Sequence, residues 1–93
     1  MKKTKTTELA AKLKISPSRA LEAVIKAQLI AAVVKIANKK GLTHELLAER
    51  SGLPRSAVTG ILAGSMQKVT INRVLRLVEA AGLVAEVKVK EAA

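Results

Sequence analysis

A chain of 93 residues can bury one modest core and not two. Nearly half of it (49%) is apolar, yet it holds no Phe, Tyr, Trp or Cys. The core must therefore be aliphatic, disulfides, thiolate metal sites and thiol nucleophiles are excluded, and base stacking on aromatic platforms is disfavoured. Seventeen Lys and Arg against seven acids, all Glu, give a formal charge of +10. Such an excess points to a polyanionic partner (DNA, RNA or an anionic membrane surface) and says nothing about fold.

Residues 1–7 carry Lys2, Lys3 and Lys5 with nothing to bury and read as a basic arm. The opening has no apolar run of the secretory kind, and the apolar stretch that ends at Lys35 is far too short to span a bilayer. A cytoplasmic protein without a membrane partner is expected. Residues 8–13 suit a turn or two of helix, with Leu9 and Leu13 on one face. We take residues 1–15 as arm and short helix, and residues 16–90 as one domain.

Ser16 is a natural N-cap, and Pro17 suits the first helical position, where its missing N–H is no loss. From there to about Lys40 the chain reads as one long helix. Leu21, Ile25, Leu29, Ala32 and Ile36 recur at threes and fours, with Val24, Val33 and Ala37 widening the stripe. Lys39 and Lys40 fit the negative end of the helix dipole, and Gly41 supplies the stop.

Two short helices follow, Thr43 to Arg50 and Pro54 to Ala63, joined by a tight turn. Thr43 caps the first. Ala48 lets the second approach closely, Gly52 supports the sharp exit, and Val58 fills the angle between them. After Gly64 a polar loop leads to Thr70, the cap of a helix with Ile71, Val74, Leu75 and Val78 on one face and Gly82 at its end. In residues 85–90 the period changes. Ala85, Val87 and Val89 alternate with Glu86, Lys88 and Lys90, which is strand patterning. A lone strand must pair, so we expect antiparallel pairing with the same strand of a second copy; unpaired, the tail would fray. The stretch 9–24 lines up with 47–62, but Lys14 stands where Gly52 does and Ala20 where Val58 does, which argues against a second such unit.

The phrase Leu42-Thr43-His44-Glu45-Leu46-Leu47-Ala48, the turn Ser51-Gly52-Leu53 and the segment Pro54 to Gly64 resemble the helix-turn-helix domain of the Xre/Cro phage-repressor superfamily. Thr70 to Leu83 is similar to the helix that closes such domains. The long preceding helix and the terminal strand resemble the branch of small regulators that includes HigA-like antitoxins. His44 stands where the family often has Gln, and Leu46 where it often has an acid. The resemblance implies an all-α domain of four to five helices with a short C-terminal strand, acting on DNA, with a toxin protein as a further partner if the antitoxin branch applies.

Physical roles follow from the motif. The helix from Pro54 offers its first turns to the major groove, where Arg55, Ser56 and Thr59 would contact bases. Ser56 reads equally well as a helix-start residue. Thr43, His44, Gln67, Lys68, Thr70, Lys39, Lys40 and Arg73 flank that helix and are the expected phosphate contacts. Ala85, Val87 and Val89 would carry dimerisation. His44 has no second His, Cys or Asp with which to build a metal or acid–base site, so no metal, cofactor or enzymatic activity is expected. The expected function is a sequence-specific double-stranded DNA-binding repressor or autoregulator, a homodimer on a palindromic operator. The alternative is a nonspecific architectural DNA- or RNA-binding protein that uses charge alone.

Overall fold

The computed structural model describes residues 17–65 and 69–92. Four helices form there: α1 (Pro17–Lys40), α2 (His44–Ser51), α3 (Arg55–Leu62) and α4 (Ile71–Ala80). The fold is all-α, as expected. The basic arm, the short helix over residues 8–13 and the Ser16 cap lie outside the described residues.

Local chemistry sets the ends of these helices. Thr43 and Thr70 sit in extended backbone, and each hydroxyl accepts an N–H three residues on: Leu46 at 3.0 Å and Arg73 at 3.3 Å. Each such bond satisfies one of the orphan donors of a first turn. Gly52 has φ 74, and its N–H donates to Ala48 O at 2.9 Å. A residue with a Cβ would be strained there, which is why glycine stands at this exit. Leu53, the next residue, is buried and closes the turn against the core.

All four helices meet in one aliphatic centre. Val33 from α1, Leu47 from α2, Val58 from α3 and Val74 and Leu77 from α4 are fully buried. Ile30, Ala37, Leu53, Ile61, Val78, Ala80 and Ala81 complete the cluster. The buried line of α1 runs through Ala20, Lys26, Ile30, Val33 and Ala37. Val33 and Ala37 of the expected stripe lie on this line, whereas Leu21 and Ala32 are exposed and Ile25, Leu29 and Ile36 only half-buried. The reason is that α1 is apolar on nearly every side, so its period does not select a face and the shape of the partners does. In α4 the core residues are Val74, Leu77 and Val78, while Ile71 and Leu75 are exposed.

Two charged side chains act as long-range ties. Lys26 Nζ donates to Val69 O at 2.6 Å and lies 3.0 Å from Glu22 Oε1, fastening α1 to the residue before the Thr70 cap. Arg50 Nη1 donates to Ala80 O at 3.3 Å, so the end of α2 satisfies a last-turn carbonyl of α4.

The strand expected over residues 85–90 does not form, and no strand occurs among the described residues. Residues 83–92 are irregular, with Val87 and Val89 86% and 89% exposed. A strand holds its shape only through a ladder of bonds to a neighbour, and none of the described residues supplies one.

Candidate nucleic-acid interface

Helix α3 has two distinct faces. Val58 and Ile61 point into the core and fix the rotation of the helix about its axis. Arg55, Ser56 and Thr59 are all exposed on the other side. Sequence spacing brings Arg55 and Thr59 onto one strip of surface, one turn apart. Pro54 stands at the N-cap and has no side-chain acceptor to offer, though its carbonyl accepts the N–H groups of Ala57 and Val58 at 3.0 and 3.1 Å. Gly60 is half-buried, and a Cβ at that position would meet nothing within 4 Å.

Helix α2 delivers its N-terminus to the same place. His44, its first residue, is half-buried, with Nδ1 2.9 Å from Thr59 Oγ1. An expected phosphate contact and an expected base contact are therefore bonded to each other. Thr43, beside His44, is exposed, and its hydroxyl is occupied as the α2 cap. At this end the backbone N–H groups and the helix dipole favour an anion.

The other candidate grips are less closely grouped. Lys39 and Lys40 are exposed in the last turn of α1, a short loop before Thr43. Thr70 and Arg73 are exposed at the start of α4, where Thr70 caps the Arg73 N–H. No described contact sets either of these against α3. Gln67 and Lys68 lie outside the described residues. Ala85, Val87 and Val89 are exposed on the irregular tail.

Three connections were not anticipated from spacing. The Lys26 and Arg50 ties join residues 43 and 30 positions apart, and both side chains look like ordinary surface charges in sequence. The His44–Thr59 bond joins residues 15 apart. Its one legible signal is that the motif puts both residues on the side expected to face DNA. Among the described residues no group of three or more His, Cys, Asp or Glu could hold a metal, and no helix is long and apolar enough to cross a membrane.

A family model described as a helix-turn-helix domain matches residues 11–90. No curated protein and no solved structure matches the chain. The family match agrees with the Xre-type resemblance of the motif, and it spans all four helices. The chain belongs to the helix-turn-helix family of DNA-binding domains.

Proposed function

We propose that the protein is a sequence-specific regulator of transcription, a repressor or autoregulator that reads double-stranded DNA with α3. The observation that carries this reading is the division of α3: Val58 and Ile61 are locked in the core while Arg55, Ser56 and Thr59 face outward as a set. A major groove admits one α-helix, and a rigidly held helix can place short side chains against base edges reproducibly. Arg55 suits guanine O6 and N7 by a bidentate bond, Ser56 takes either donor or acceptor, and Thr59 lies one turn further on. Thr43, His44, Gln67, Lys68, Thr70, Lys39, Lys40 and Arg73 would hold the backbone. The charge of +10 supports that role.

A palindromic operator follows if two copies bind together. The exposed, alternating Ala85, Val87 and Val89 support pairing of the tails, which would cover valines that a single chain leaves in water. Half-sites would then lie about one helical turn apart, roughly 34–36 Å. An antitoxin is the subtype that the resemblance suggests, and an adjacent toxin reading frame would support it.

The test is affinity for DNA upstream of the protein's own gene against scrambled DNA of equal length at fixed salt. The proposal expects tighter binding to the upstream DNA by a factor of about a thousand or more. Equal affinities would place the protein with nonspecific architectural binders instead.

A further inference from the structure

We infer that His44 fixes the polarity of the Thr59 hydroxyl, and so selects at the base pair facing Thr59 a base that presents an amino group in the major groove. The inference rests on the reading of α3 as the base-reading helix and deepens it. Thr59 is exposed on α3 and His44 opens α2, with Nδ1 and Oγ1 2.9 Å apart. This is hydrogen-bond distance for a pair in which either atom can be the donor. What decides the direction is the other ring nitrogen.

No described residue bonds His44 Nε2. The ring belongs to the first turn of α2, held there by the Thr43 cap, at the helix end whose dipole suits an anion. A phosphate oxygen only accepts hydrogen bonds, so an imidazole that grips phosphate through Nε2 carries its proton on that atom. In the neutral ring with its proton there, Nδ1 is a bare lone pair and the Thr59 hydroxyl donates to it, whereas an imidazolium would donate from both nitrogens. With its proton committed, Oγ1 offers the groove lone pairs only.

Adenine N6 and cytosine N4 are the amino donors on the major-groove edges. Guanine O6 and N7 and thymine O4 are acceptors, and would set lone pair against lone pair. Phosphate contact and base choice thus become one chain of hydrogen bonds: phosphate, His44, Thr59, amino group. Glutamine at position 44 can preserve the chain, donating its amide N–H to phosphate and accepting from Thr59 at its carbonyl. Alanine cannot. In His44→Ala the Thr59 hydroxyl turns freely and meets either kind of edge.

The test uses the full-length protein and the duplex recovered by selection from random-sequence DNA. Each adenine in the half-site is replaced in turn by purine deoxynucleoside, which lacks the 6-amino group, and each cytosine by the 2-pyrimidinone deoxynucleoside, which lacks the 4-amino group. At one position the wild type should lose about three- to tenfold in affinity, the size of one hydrogen bond. Thr59→Val and His44→Ala should bind natural and analogue duplexes equally there, and His44→Gln should regain the discrimination. A purely structural role for His44 would lower affinity for all duplexes alike and leave the analogue ratio intact. Arg55→Ala should keep the amino sensitivity while losing preference at a different position. The inference is overturned if His44→Ala discriminates as the wild type does, or if the Thr59 position prefers guanine or thymine, either result leaving the Arg55 assignment standing. Absence of any base discrimination in the wild type overturns the reading of α3 and this inference together.

Discussion

Replacing Lys26 by Met keeps most of the apolar stem and removes the ammonium that ties α1 to the segment before α4. The side chain of Lys26 is 11% exposed, against 51% for its partner Glu22, so the two contacts of Nζ differ in kind. The bond to Val69 O, 2.6 Å long, is a charge-assisted bond in a part-buried setting. Such bonds contribute about 1.5–3 kcal/mol, whereas a largely solvated i,i+4 pair contributes about 0.3–0.5 kcal/mol. Relief from holding an ammonium out of water offsets part of the loss, so Lys26→Met should cost about 1–2 kcal/mol. Glu22→Gln, which leaves the Val69 bond in place, should cost less than about 0.5 kcal/mol. Urea melts followed by far-UV circular dichroism measure both. In thermal melts each kcal/mol corresponds to roughly 4–8 °C for a domain of this size. Equal losses in the two variants would show that the ion pair is the tie. A neutral or stabilising Lys26→Met would show that the carbonyl bond contributes nothing net.

Two glycines should respond with opposite signs. Gly52→Ala meets no steric obstacle but must hold φ near 74, and should destabilise by about 1–2 kcal/mol. Gly60→Ala fits inside α3 without contact and should stabilise by about 0.5–1 kcal/mol, both measured in the same urea melts. Thr43→Ala removes the acceptor for the Leu46 N–H and should cost about 1 kcal/mol, while Thr43→Asn should cost little. Truncation after Val84 should leave the helices folded and yield monomers on sedimentation; a truncated protein that sediments like the full chain would refute pairing through the tail.

Helix ends were legible because the chemistry that sets them is local. Pro17, Gly41, Thr43, Gly52, Pro54, Gly64, Thr70 and Gly82 each mark a boundary through their own backbone preferences and the next few residues, and the four helices begin and end within a residue or two of those marks. Faces were harder. In α1 nearly every side is apolar, so Leu21 and Ala32 were as eligible for the core as Ala20 and Ile30, and only the packing of α4 and α3 chose between them. In α4 Leu75 and Leu77 flank Arg76 and are equally apolar, and it is Leu77 that turns into the core. That Arg55, Ser56 and Thr59 lie on the outward side of α3 could be read from the motif, since the turn fixes where α3 starts and Val58 fixes its inward side. That His44 would bond Thr59 could not be read from spacing, because it depends on the angle at which α2 and α3 cross. Nor could the fate of Lys26: a lysine's type says surface, and only the position of Val69 in space makes it a tie. The tail shows the converse, a period-2 pattern real in sequence whose structure depends on a neighbour.

The most direct measurement is the affinity of wild type, Arg55→Ala and Lys68→Ala for the selected duplex and for random duplex, across a range of salt. The account predicts that Arg55→Ala loses about ten- to a hundredfold on the selected duplex and much less on random DNA, the signature of a lost base contact. Lys68→Ala should weaken both duplexes alike and reduce the salt slope by about one. If the two variants lose the same factor on both duplexes, α3 does not read sequence, and the protein binds DNA by charge alone.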